Sequence, residues 1–418
     1  MALFIVAAIL VQLAVFILFQ YLRHKRVYRL LETDSGAIER PDKTLPVSAE
    51  QAAAWEGFRD FVVQRRVMED DANSTCSFYL VPGDGQPLPL FKPGQFLTFR
   101  LRITDQATGE SKEIVRCYSL SDRPRSDYYR VTIKRLLPPL DQPHVPPGIA
   151  SNFFHDHVQV GTHLSVKAPS GQFHLFEDEP LPVVLVAGGI GLTPMLSIVN
   201  SMLHNPIPRE VWLFYGVRNG AEHVMQEHLT KLAETHHNFH LHVCYSRATT
   251  KDVAGVDYQH SGHIDIQRLR LSLQLTRYQF YVCGPRAMME SLVPALEQWG
   301  VAPGDVHYEA FGPASLTRHE QHKPATAAGK ATRRTVTVTF STSSRKLAWN
   351  PDIGSLLEFA ENHGIKVDSG CRAGSCGTCQ TVIESGEVEY RQEPDAGIEP
   401  GHCLLCISTP LTDLTLKA

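Results

Sequence analysis

Three cysteines, Cys371, Cys376 and Cys379, stand in the spacing Cys-x4-Cys-x2-Cys, and this run constrains the 418-residue chain more than any other. Small residues, Gly374, Ser375 and Gly377, lie between the thiols. A loop that brings three thiolates onto one cluster must curl tightly, and glycine allows the backbone angles such a curl needs. Structural zinc sites usually pair two Cys-x2-Cys knuckles; here one knuckle carries an extra cysteine ahead of it, and the fourth ligand comes alone. The spacing therefore points to a [2Fe–2S] cluster. On spacing alone, Cys406 and Cys403 both stay open as the fourth thiolate.

The flanking sequence supports a small α+β unit. Thr335 to Phe340 alternates as a strand, Arg345 to Trp349 pairs back on it, and Ser355 to Ala360 predicts a short amphipathic helix stopped by Gly364. With this strand, strand, helix order, residues 335–418 resemble the plant-type ferredoxin domain and its β-grasp fold. That family places its fourth ligand in a short apolar strand, as in Leu404-Leu405-Cys406. The resemblance thus implies Cys371, Cys376, Cys379 and Cys406 as the metal ligands.

Upstream, residues 57–178 read as an antiparallel β-barrel. Short alternating runs at Phe58 to Val67, Thr75 to Val81, Gln95 to Ile103 and Tyr129 to Lys134 are punctuated by Gly and Pro. Within them stands Arg116-Cys117-Tyr118-Ser119-Leu120-Ser121, and later Gly148-Ile149-Ala150-Ser151. An aromatic ring can stack on a flavin, a hydroxyl can bond its N5 edge, a guanidinium can neutralise a pyrophosphate, and a helix start offers free N–H groups. Together these residues resemble the FAD domain of the ferredoxin–NADP reductase superfamily. The resemblance implies that Arg116, Tyr118, Ser119, Leu120, Lys134, Gly148 and Ser151 bind FAD.

Residues 179–313 read as an α/β domain with a parallel sheet. The apolar run Pro182 to Ala187 suits a buried strand and leads into Gly188-Gly189-Ile190-Gly191-Leu192-Thr193-Pro194, a glycine turn that lets a dinucleotide pyrophosphate approach a helix start. Strands are expected at Val211 to Gly216, His240 to Tyr245 and Tyr278 to Cys283, with helices at Glu222 to Ala233 and Arg286 to Trp299. Cys283-Gly284-Pro285 ends the last strand, where open α/β sheets bind ligands. The segment from Arg116 to Pro313 resembles the reductase half of flavohaemoglobins. That likeness sets Gly188, Gly189, Gly191, Thr193, Pro194, Cys283, Gly284 and Pro285 around NAD(P)H, and Phe311 against the flavin. Ser119, Thr193 and Cys283 are then the catalytic candidates. Arg218 and Ser246-Arg247 stand where a 2′-phosphate could be held, a solvated surface arginine being the equal alternative for each, and NADH is favoured over NADPH.

The first residues differ in character. Ala2 to Leu22 holds no charged side chain, and about 21 helical residues span roughly the 30 Å apolar thickness of a bilayer. Arg23-His24-Lys25-Arg26 follows at once, so residues 1–26 are expected to be a transmembrane anchor with the N-terminus outside and the catalytic domains cytoplasmic. Residues 27–56 would form a juxtamembrane stalk, and 314–334 a flexible linker. A formal net charge of −4 gives no electrostatic case for nucleic acid. Scattered Cys76, Cys117, Cys244 and Cys283 argue for a reducing compartment.

The chain is therefore expected to comprise a membrane helix, a β-barrel FAD domain, an α/β NAD domain and a β-grasp ferredoxin domain. Its expected activity is electron transfer from NAD(P)H through FAD and [2Fe–2S] to a protein acceptor, a membrane-associated oxygenase, desaturase or hydroxylase. A quinone reductase and a redox-sensing protein are the competing expectations.

Overall fold

The computed structural model describes residues 54–104, 109–138, 146–177, 179–309, 311, 336–351, 353–370, 372, 374, 376–391, 394 and 397–418. The expected membrane helix, most of the stalk, the 314–334 linker and Cys371 lie outside those residues. Among the described residues, no helix is long and apolar enough to cross a membrane.

The first sheet has six antiparallel strands: β1 (Phe58–Met68), β2 (Thr75–Pro82), β3 (Phe96–Thr104), β4 (Ser111–Ser119), β5 (Tyr129–Lys134) and β6 (His163–Ser170), in the order β4-β3-β6-β1-β2-β5. A bridge from Leu120 to Val131 joins its two outer strands and closes it into a barrel. Period-two patterning puts Phe61 and Val63 inside while Asp60 and Gln64 face out. Helix α1 (Ile149–His157) plugs one end, its Phe154 meeting Phe78 and Phe99 edge-on, each at 5.3 Å. Burying each such ring contributes about 1.5–3 kcal/mol.

The second sheet is wholly parallel. It comprises β7 (Val183–Gly188), β8 (Val211–Val217), β9 (Phe239–Tyr245), β10 (His260–Ser261), β11 (Gln279–Cys283) and β12 (Val306–Glu309), in the order β10-β9-β8-β7-β11-β12. Helices α2 (Leu192–His204) and α3 (Gln226–Thr235) cover one face through Leu196 and Leu229, and α4 (Ile266–Ser272) and α5 (Arg286–Gln298) cover the other through Leu269 and Leu292. All six residues of β7 are buried, as a strand covered on both faces requires. The chain moves outward from β7 to β10, then returns to lay β11 and β12 on the other side. Strand order therefore reverses between β7 and β11, the position where open α/β sheets form a ligand crevice.

One expected helix is displaced. Glu222 to Ala233 breaks into a 3-10 turn at Gly220–Glu222 and a helix that starts only at Gln226. Met225 takes φ of 55° between them, its N–H donating to Glu69 O of the barrel at 2.8 Å. A tertiary hydrogen bond outcompetes the local helical pattern there.

The third unit adds β13 (Thr337–Phe340), β14 (Arg345–Ala348), β15 (Gln380–Ser385), β16 (Val388–Tyr390), β17 (His402–Leu404), β18 (Ser408–Pro410) and β19 (Leu414–Leu416). Its main sheet runs β14-β13-β19-β15-β17, with β13 and β19 parallel, and β16 pairs with β18. Helix α6 (Leu356–Asn362) begins where Ser355 Oγ accepts from Glu358 N, and it buries Leu357 and Phe359 against Val338, Phe340 and Leu416.

Polar bonds set the barrel against the parallel sheet. Asp122 accepts from Tyr128 OH at 2.8 Å within the barrel unit and from Asn200 Nδ2 of α2 at 3.0 Å, while its backbone oxygen accepts from Ser197 Oγ at 2.8 Å. Phe173 and Leu175, placed by sequence with the barrel, pack into the core of the parallel sheet, with Phe173 edge-on to Tyr281.

Candidate functional site

The strand ends at the switch point hold three of the elements expected around a nicotinamide. In the parallel register Cys283 stands level with Ala187 on one side and Glu309 on the other. The Gly188 to Gly191 turn lies directly against Cys283: a methyl added at Gly191 would sit 2.2 Å from the Cys283 oxygen and 2.8 Å from Gly284 N. Only glycine fits that approach. Thr193 opens α2 with Oγ1 donating to Ile190 O at 3.1 Å, so its hydroxyl braces the turn, and Pro194 is buried within the helix. Cys283 is fully buried, and burial followed by the nearby Glu309 pushes its thiol pKa well up, so it acts as an enclosed wall and not as a thiolate.

Glu309 is the residue that sequence reasoning missed. The residue as a whole is half-buried, but Oε2 is enclosed and has no hydrogen-bond partner among the described residues. Burial pushes its pKa up to about 8. An orphaned carboxyl beside the glycine turn and Cys283 is the kind of group a nicotinamide carboxamide would satisfy, so these residues fit a bound dinucleotide. Only strand register brings Glu309 to Cys283; nothing local in Tyr308-Glu309 signals it.

The expected flavin residues divide. Arg116, Tyr118 and Ser119 share the end of β4. The Tyr118 ring is held edge-on by Phe99 at 5.8 Å and Phe154 at 5.2 Å, which fixes its plane. Arg116 is exposed, with NH1 donating to the neighbouring Val115 oxygen, and Ser119 is buried beside it. A fixed aromatic face flanked by a hydroxyl and a guanidinium suits FAD. Other partners engage the remaining side chains. Leu120 is fully buried in the barrel core. Lys134 Nζ pairs with Glu222 Oε2 at 2.8 Å, tying the barrel to the parallel sheet. Ser151 Oγ donates to Gly148 O and accepts from Leu136 N, each at 3.2 Å, securing the start of α1. These three side chains thus have packing or hydrogen-bond partners within the protein. Phe311 is 39% exposed, with its ring available to a flat ligand.

Around the cysteine loop, Gly374 and Gly377 take φ of 75° and 73°, the left-handed geometry a tight curl demands. Cys376 and Cys379 are buried and Cys406 is half-buried. A hydrogen bond from the Cys406 thiol, opposed by burial, holds the Cys379 thiol below its usual pKa, which favours the ligating thiolate. Cys403 differs. It lies in β17 opposite Thr381 and faces the hydrophobic core, and burial pushes its pKa up to about 12. Cys371 lies outside the described residues; the thiols of Cys376, Cys379 and Cys406 are three of the four that a two-iron centre would take, and their chemistry fits it.

Comparisons with known proteins agree with these three units. Residues 77–175 match the family described as "Oxidoreductase FAD-binding domain", 185–293 "Oxidoreductase NAD-binding domain", and 340–411 "2Fe-2S iron-sulfur cluster binding domain". The flavohemoprotein of Halalkalibacterium halodurans is 39% identical over 274 residues, 65% of this chain and 64% of that protein; the one from Bacillus cereus is 38% identical over 268 residues, 64% of each. The chain thus spans about two thirds of the length of these curated relatives, 64% in each case. Among solved structures, the flavohem-like FAD/NAD binding domain of nitric oxide dioxygenase from Vibrio cholerae matches at 30% identity and a TM-score of 0.51, covering 62% of this chain and all of that one.

The chain carries regions that match the oxidoreductase FAD-binding and NAD-binding domain families. More particularly, it carries FAD-binding, NAD-binding and C-terminal 2Fe-2S domains in one polypeptide. That arrangement has the fold of phthalate dioxygenase reductase, a 24% identical structure with a TM-score of 0.51 that covers 87% of this chain and 98% of its own.

Proposed function

We propose that the chain is a membrane-anchored, NADH-dependent electron-transfer reductase that delivers single electrons to a membrane-associated oxygenase, desaturase or hydroxylase. The observation that carries this reading is that the cysteine loop and the flavin residues meet on one strand: Gly370 packs beside Val115 of β4, the strand that ends in Tyr118 and Ser119.

The chemistry supplied by bound FAD is two-electron uptake from a nicotinamide and one-electron release to an iron–sulfur centre. Everything else falls to the chain. Tyr118 offers a ring face already fixed in orientation, so stacking costs little further entropy. Arg116 supplies the cation for a pyrophosphate. Cys283 closes the back of the crevice and excludes water. Glu309, protonated at neutral pH by virtue of its raised pKa, donates a hydrogen bond and so orients a carboxamide without placing a negative charge in the crevice.

The preference for NADH is supported by Arg218, whose Nε is engaged by Glu222 Oε1 at 2.7 Å. An arginine held by a carboxylate has part of its charge balanced, which weakens its pull on a 2′-phosphate. The membrane location is supported by the apolar run Ala2 to Leu22 and the basic cluster after it. Co-flotation with lipid vesicles tests it. The full chain should float, and a chain starting at residue 27 should stay at the bottom with its NADH-driven dye reduction unchanged; flotation of both, or of neither, removes the anchor from the account. Pull-down from solubilised membranes identifies the acceptor, and recovery of no redox partner alongside efficient quinone turnover would shift the reading to a quinone reductase.

A further inference from the structure

Where the cysteine-loop unit meets the barrel, Lys167 of β6 donates from Nζ to the backbone oxygen of Cys376 at 2.7 Å. Its ammonium also lies over the Phe58 ring, 5.3 Å from the centroid. Lys167 is half-buried, and its place is set by register, level with Phe58 on β1 and Thr98 on β3. A second contact lies beside it. A methyl added at Gly370 would stand 2.8 Å from Cys376 Sγ and 3.4 Å from Val115 Cγ1, so the backbone before the cysteine loop touches β4.

An exposed lysine bonded to a surface carbonyl contributes little. This one differs in what it holds. The acceptor is the carbonyl of an expected cluster ligand, so anchoring that oxygen restrains the ligand sulfur of the same residue relative to the barrel. The strand it is anchored beside also carries Tyr118, three residues or about 10 Å along from Val115. A positive charge at this point also favours an electron arriving in the loop.

We propose that Lys167 is a positioning residue: it latches the cysteine loop to the barrel through the Cys376 carbonyl and holds the iron–sulfur centre at transfer distance from the flavin strand. The proposal rests on the reading of the chain as an electron-transfer reductase.

The test compares the full chain, purified with its cofactors, with Lys167→Met and Lys167→Arg. NADH-driven flavin bleaching is followed by rapid mixing, reduction of the centre by freeze-quench paramagnetic resonance, and exposure of residues 376–380 by amide hydrogen exchange. All three proteins should bleach flavin at the same rate. Lys167→Met should reduce its centre at least fivefold more slowly and exchange the loop amides at least threefold faster, and Lys167→Arg, which keeps charge and donors, should recover most of both. Parent-like reduction and exchange in Lys167→Met overturn the latch. So does slowed reduction without faster exchange, or slowing that arginine does not relieve. If the parent centre itself stays oxidised under NADH, the functional reading fails, and the exchange comparison alone then decides the latch.

Discussion

Cys283 and Glu309 stand level on neighbouring parallel strands at the switch point, the thiol fully buried and the carboxyl Oε2 enclosed without a partner among the described residues. Glu309 has its pKa raised from an ordinary 4.5 to about 8 by burial. The folded chain therefore holds this proton more tightly than the unfolded chain between those values. Its contribution to stability is fully present below about pH 4.5 and is lost as pH rises through about 8, by no more than about 5 kcal/mol and less because the residue is partly accessible. Glu309→Gln, which cannot ionise, should melt close to the parent at pH 5 and several degrees above it at pH 9. Parallel melting curves across that range would contradict an enclosed carboxyl. At pH 7 the Glu309→Ala protein should reduce its flavin with NADH at least tenfold more slowly, and Glu309→Gln should lose less.

Gly191 leaves no room for a side chain against Cys283. Gly191→Ala must push the turn off the strand end, at a cost of about 1–3 kcal/mol. Expected are a melting temperature lower by a few degrees and a marked rise in KM for NADH in dye reduction. Unchanged values for both would show that the contact yields freely.

The two C-terminal cysteines make opposite predictions. Cys406 lies beside Cys379, whereas Cys403 points into the hydrophobic core. Iron content and visible absorbance should survive in Cys403→Ala, with a stability loss of about 1–2 kcal/mol for the small cavity, and collapse in Cys406→Ser. The reverse pattern would exchange their roles.

Glu222 bonds both Lys134 and Arg218. Glu222→Gln removes the charge that engages Arg218, so the ratio of NADH to NADPH turnover should fall severalfold, mainly through KM for NADPH. A ratio equal to the parent's would detach Arg218 from coenzyme choice.

The strands with clear period-two alternation, such as Tyr129–Lys134, and the cysteine loop with its four-and-two spacing were legible because local sequence carries their signal. Ser111–Ser119 has no alternation to read, since charged Lys112 and Glu113 occupy an exposed start, and only the motif at its end drew attention to it. Glu309, Lys167 and the Lys134 to Glu222 pair escaped notice for another reason. Their partners lie 26, 209 and 88 residues away, and no local pattern encodes strand register or domain contact. Leu120 and Ser151 were expected to meet the flavin because they belong to the right motifs; burial and hydrogen bonding to Gly148 and Leu136 give their side chains structural partners.

Anaerobic mixing of the full-length protein with NADH, with paired optical and paramagnetic detection, tests most directly whether electrons taken as a pair leave singly through the carboxyl-terminal cysteines. The account predicts flavin bleaching followed by the signal of a reduced [2Fe–2S] centre, and in Cys379→Ser the same bleaching with no such signal. Bleached flavin in the parent with no iron–sulfur signal on any timescale of turnover would contradict it.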